Sequence, residues 1–120
     1  MLGRFYILLA WLITALGILH MAATFRLPGP NPLGKIWFFG SGLAIALVGA
    51  LNLLHRTYGQ SCFGIRIVCR SANLLLTLVA IAAGTLMGAT FVQRLVIWSL
   101  FVSVLILSCL PVRPGQVRRN

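Results

Sequence analysis

Long apolar runs, separated by short polar breaks, organise this 120-residue chain. A helix needs about 20 predominantly apolar residues to cross a hydrocarbon core. The first candidate runs from Phe5 to Phe25, the second from Ile36 to Leu54 and the third from about Ser71 to Phe91. The fourth runs from about Leu95 to Leu110, with Val92 and Gln93 adding its first turn, so that it covers 92–110. It is the shortest, and Arg94 is expected to snorkel back to the interface.

The breaks carry their own signals. The outer loop, Arg26 to Gly34, has prolines at 28, 30 and 32, which oppose helix and favour a stiff extended link. A tight turn around Gly88 to Arg94 joins spans three and four and predicts an antiparallel hairpin. The middle loop, Tyr58 to Gly64, holds Gly, Gln, Ser and Cys, and residues 111–120 form a short basic tail. The expected fold is all-α: an integral membrane four-helix bundle, up-down-up-down, in a single transmembrane domain over 1–120. Arg4 before an apolar run also resembles a signal peptide, but the run exceeds the usual apolar region of about 7–15 residues. It is expected to be a retained anchor.

A faint internal repeat suggests two tandem helical hairpins. Met21-Ala-Ala-Thr-Phe25 ends the first span and Met87-Gly-Ala-Thr-Phe91 the third, and each precedes a span bearing a tryptophan, Trp37 or Trp98.

Composition strengthens the membrane reading. The chain is 60% hydrophobic with a mean hydropathy of +1.02, against about 45–50% apolar in soluble proteins. It has ten Lys and Arg and no Asp or Glu, a formal charge of +10. Roughly 14 acidic residues would be ordinary at this length. The cations sit singly or in small groups at the ends of apolar runs, which speaks for lipid headgroups and against nucleic acid. With four spans, Arg4, Arg56, Arg66, Arg70, Arg113, Arg118 and Arg119 share one side, seven against the three of Arg26, Lys35 and Arg94. Both termini are therefore expected in the cytoplasm, in a multi-pass protein of a bacterial inner (cytoplasmic) membrane.

The missing carboxylates remove chemistry. Coupling by an intramembrane acid, carboxylate-bound metals and Ser-His-Asp triads all need a side chain that this chain lacks. Cys62, Cys69 and Cys109 form no C-x-x-C pair and no zinc spacing, so no metal site is expected. A Cys–His nucleophile would need Cys62 or Cys69 beside His55, without a local signature.

Small-residue stripes suggest close helix packing. Gly42, Ala46 and Ala50 share a face of span two, and Ala80, Gly84 and Gly88 a face of span three. At the cytoplasmic end, Asn52, His55 and Arg56 fall within about one turn, while Arg66, Arg70 and Asn73 follow helical spacing. Tyr58 and Arg4 are expected at similar depth. The arginines are expected to meet anionic headgroups, helix-end carbonyls, the terminal carboxylate of Asn120, an acidic partner or an anionic ligand. Asn52 and Asn73, amides inside spans, are expected to seek partners and could bond each other.

An outer group holds His20, Thr24, Thr85, Thr90 and Gln93. His20 and His55 invite a haem or chlorophyll, as the alternative to no cofactor. Their spans run in opposite senses and would place them near opposite faces, about 30 Å apart. One haem could not use both.

The expected function is therefore that of a small non-catalytic membrane protein. It would be an accessory or scaffold subunit, or a homo-oligomer, working through packing and through anionic-lipid or acidic-partner contacts. A small channel or transporter for a neutral or anionic solute is the second reading. A tetrapyrrole- or lipid-binding protein using His20 or His55 is the third.

Overall fold

The computed structural model describes residues 2–26, 31–59, 61–86 and 88–110. These residues form four helices and no strand: α1 (Leu2–Thr24), α2 (Pro32–Tyr58), α3 (Phe63–Leu86) and α4 (Phe91–Cys109). Each is long and apolar enough to cross a membrane, as an integral multi-pass protein requires.

The helix ends show where hydropathy misplaces a boundary. Pro32 belongs to α2 rather than to an extended loop. It occupies the first turn, where a missing N–H costs nothing, and Asn31 caps the helix by accepting from the Gly34 N–H at 2.8 Å. Residues 27–30, with Pro28 and Pro30, lie outside the described residues, as does the tail 111–120. α3 starts at Phe63, well before the expected Ser71. Arg66 and Arg70 interrupt the apolar run but not the helix, because backbone bonding is indifferent to side-chain charge and long cationic side chains reach outward. The connection between α2 and α3 shrinks accordingly to 59–62, and Tyr58 and Gly64 are helical.

α3 ends at Leu86, short of the expected Phe91, and Gly88 turns the chain at a φ of +68°. Only a residue without Cβ takes that conformation without strain. Thr90 then caps α4, accepting from the Gln93 N–H at 3.4 Å while the Gln93 side chain accepts from the Thr90 N–H at 3.0 Å. The two peptides of the apparent repeat therefore differ in conformation. Met21–Thr24 is helical, whereas Gly88–Thr90 is turn and cap.

α1 packs most extensively on α2, and α3 on α4; α2 meets α3 less extensively, and α1 meets α4 less still. Along the first pair, Gly3 lies beside Arg56, Thr14 beside Gly49, Gly17 beside Gly42 and His20 beside Ser41. Residue numbers thus fall along α2 as they rise along α1. Glycine makes this contact possible. A Cβ on Gly17 would lie 2.7 Å from the Gly42 carbonyl oxygen, and one on Gly49 would lie 2.6 Å from the Thr14 nitrogen. Of the expected stripe, Gly42 and Ala46 face α1, whereas Ala50 is exposed and Gly49 holds the interface position instead. On the second pair, Gly84 packs against Trp98, whose indole N–H donates to the Ala80 carbonyl at 3.3 Å. Gly88 is not on that stripe, because it has left the helix for the turn.

Tyr6, Leu9 and Ile13 of α1 and Phe101 and Val104 of α4 form the apolar centre. The outward faces are apolar too: Trp37 is 73% exposed and Leu86 84%. Lipid tails solvate such faces as well as a protein core would, so close van der Waals fit and internal hydrogen bonds must hold the helices together.

Candidate functional site

The interior is most polar where α1, α2 and α3 converge. Asn52, on α2, is wholly buried, and its amide spends both N–H groups. One goes to the Val48 carbonyl at 2.7 Å and the other to Asn73 Oδ1 at 2.8 Å. Asn73, on α3, returns the bond, donating Nδ2–H to Asn52 Oδ1 at 2.9 Å. Tyr6 reaches in from α1, and its hydroxyl donates to the same Oδ1 at 2.6 Å. Cys69 approaches that oxygen at 3.4 Å and accepts from Asn73 Nδ2 at 3.6 Å. Thr77, one turn along α3, donates to the Asn73 carbonyl at 2.7 Å. Three helices are thereby tied at one level.

Proton counting assigns the histidine in this knot. The Tyr6 hydroxyl has one proton, and the short contact to Asn52 takes it. The His55 Nδ1 lies 3.1 Å from the same hydroxyl oxygen, so Nδ1 carries the proton and donates. Nε2 keeps its lone pair and points toward Gly59, where a Cβ would stand 3.0 Å away. The ring is 1% exposed and lies edge-on to Tyr6.

Arg56, Arg66 and Arg70 lie at the same end of the bundle, close enough to His55 to act on it electrostatically. Arg70 donates Nε–H to the Ser108 carbonyl at 3.1 Å and Nη2–H to the Cys109 carbonyl at 3.4 Å. These are the last carbonyls of α4, whose partial negative charge suits a cation. Arg66 lies over its own Phe63 ring at 5.4 Å. The Nε atoms of Arg56 and Arg66 are shielded from solvent and meet no acceptor among the described residues.

Comparison with protein-family models, with curated proteins and with solved structures finds no match for this chain. The geometry alone must carry the functional reading.

Among the described residues, the polar side chains toward the other end of the bundle do not gather into a second site. The Ser41 hydroxyl donates to the Phe38 carbonyl at 2.7 Å, so the His20 Nε2–H is the donor in its 3.1 Å contact with that hydroxyl. The His20 ring stacks on Phe38 with centroids 3.8 Å apart. Thr24 and Thr85 bond back to their own helices, and Thr90 and Gln93 cap α4. Arg94 donates Nε–H to the Ala89 carbonyl at 2.8 Å, which ties it to the α3–α4 turn. His20 and His55 engage different ends of α2, at Ser41 and beyond Asn52, about 20 Å apart along a helix rising 1.5 Å per residue. This is nearer than the full hydrocarbon thickness but still too far for one tetrapyrrole. Among the described residues, no three His, Cys, Asp or Glu side chains cluster as metal ligands.

Asn52, His55, Arg56, Arg66, Arg70 and Asn73 do converge at one end. Their hub, Tyr6, escapes a reading based on charge and amides. The available signal was a tyrosine at the start of an apolar run, where its hydroxyl needs a partner. Tyr58 and Arg4, expected at this level, are exposed.

Proposed function

We propose that this chain is a small non-catalytic subunit of a membrane assembly, an accessory or scaffold protein. It would work through helix packing and through contacts of its basic end with anionic lipid or an acidic partner. In this reading the helices run up-down-up-down as two tandem hairpins. Both termini are cytoplasmic, in a bacterial inner membrane, with the arginine-rich end inside. The contacts between α1 and α2 and between α3 and α4 support that arrangement, and so does the seven-to-three division of cations.

One observation carries the reading: the interior polar groups answer one another. Tyr6, Asn52, His55, Cys69 and Asn73 form a closed network, while large apolar side chains point outward on all four helices. Such a knot fixes which helices meet and at what register. Cys69, the buried thiol, bonds to amides rather than to His55, which makes it a member of the network rather than half of a nucleophilic pair.

Native mass spectrometry of the protein in mild detergent tests this. A stable complex with acidic partner chains, or a defined homo-oligomer, is expected. A monomer that conducts a small anion in liposomes, with flux lost in R66Q/R70Q, would replace the scaffold reading with the channel reading.

A further inference from the structure

We propose that Arg56 and Arg66 form a clamp for a phosphate oxyanion at the end of the molecule where α1 and α3 begin. The proposal deepens the membrane-subunit reading and rests on it for the depth of the site.

The three arginines of this end are not equivalent. Arg70 is answered within the chain by the carbonyls of Ser108 and Cys109. Arg56 and Arg66 each turn a solvent-shielded Nε–H toward no acceptor among the described residues. A dry, unpaired donor on a cation is costly, and a buried polar group ordinarily has a partner.

Their surroundings raise the positive potential. Arg66 sits in the first turn of α3, which has no acidic residue. A helix start carries partial positive charge and free N–H groups. Arg56 leaves the last turn of α2, but its head lies on the first turn of α1: a Cβ on Gly3 would stand 2.5 Å from Nη2 and 3.2 Å from Cζ. Gly3 is what lets the guanidinium lie there. Two helix starts and two half-buried cations therefore lie at one end of a chain with no Asp or Glu. The α4 carbonyls at this end are taken by Arg70 and no side chain of the chain is an acid, so the complement is an anion other than this chain's own side chains.

Phosphate fits best among anions. The Nε–H and Nη–H of arginine form a fork that matches two oxygens of one oxyanion. Helix starts favour the same group. At the end of an apolar span, the abundant anion is the phosphodiester of a lipid headgroup. Free phosphate from the aqueous side offers the same chemistry.

The test uses the full chain in mild detergent, titrated with phosphatidylglycerol and read by native mass spectrometry. Thermal unfolding in inorganic phosphate or in chloride forms the second arm. Wild type and R70Q are expected to retain the lipid adduct, and R56Q/R66Q to lose affinity by about tenfold or more, as loss of two charge-assisted contacts implies. R70Q should instead unfold at a lower temperature. If inorganic phosphate displaces the lipid and stabilises wild type but not R56Q/R66Q, the clamp takes free phosphate. If it does neither, the clamp takes a lipid headgroup. Retention of phosphatidylglycerol by R56Q/R66Q at the wild-type level, or its equal loss in R70Q, overturns the proposal. Should R56Q/R66Q fail to fold, R56K/R66K decides, because it keeps the charge and removes the fork; wild-type retention there also overturns it. The scaffold reading fails separately, on a monomer without partner chains that still carries the adduct.

Discussion

Asn52 and Asn73 bind each other twice across α2 and α3, each amide donating to the other's oxygen at 2.8 and 2.9 Å. The pair leaves room on Asn52 Oδ1 for the Tyr6 hydroxyl, so one oxygen joins three helices. In a surrounding where lipid supplies no hydrogen bonds, such a junction has few competing partners.

Asn52→Leu is expected to destabilise the protein by about 2 kcal/mol, because it strands the Tyr6 hydroxyl and the Asn73 amide together. The double variant N52L/N73L should cost less than the sum of the single changes, since it removes donor and acceptor as a set. Reversible unfolding in mixed micelles would measure both. Strict additivity would show that the pair does not act as a unit.

Tyr6→Phe removes one oxygen and leaves the His55 Nδ1–H without its acceptor. A loss of about 1 kcal/mol is expected. Nitrogen NMR of labelled histidine provides the sharper check: His55 in the wild type should show its proton on Nδ1. An Nε2–H signal would reverse the bond directions within the knot.

The glycines should separate into two classes. Gly17→Leu must push apart α1 and α2 at the Gly42 carbonyl, and overpacking of this kind costs about 1–3 kcal/mol or more. A Cβ on Gly40 meets nothing within 4 Å, so Gly40→Leu should be tolerated. Gly88→Ala places a Cβ at a φ of +68° and should cost about 1–2 kcal/mol. Melting temperatures in detergent would rank the three, and equal values for Gly17→Leu and Gly40→Leu would contradict the packing.

Cysteine labelling reads both burial and orientation. Cys62 and Cys109 are exposed and Cys69 is buried. A membrane-impermeant maleimide is expected to label the first two in inside-out vesicles, to miss them in sealed right-side-out cells and to miss Cys69 in both. Labelling of Cys62 from outside the cell would invert the proposed topology.

The helices were legible because four apolar runs of spanning length leave few alternatives. Their ends were less so. Arg66 and Arg70 look like a boundary in hydropathy, yet α3 runs through both, since the helix ladder belongs to the backbone. Pro32 looks like a breaker and is a first-turn residue, because Asn31 caps the helix before it. Convergence of Asn52, His55 and Asn73 followed from spacing. Tyr6 did not, because its partners lie 46 and more residues away in the chain.

The chain's zero count of acids determined that its arginines must find their anions at backbone carbonyls or beyond its own side chains. That much needs no coordinates, since a residue type that is absent cannot pair anywhere. Only the packing of the helices decided which arginine is which. The close of α4 brings two free carbonyls to Arg70, whereas Arg56 and Arg66 come to rest by the starts of α1 and α3. Helix polarity, which sequence spacing does not place in space, satisfies the first and leaves the Nε–H of the other two without an acceptor among the described residues.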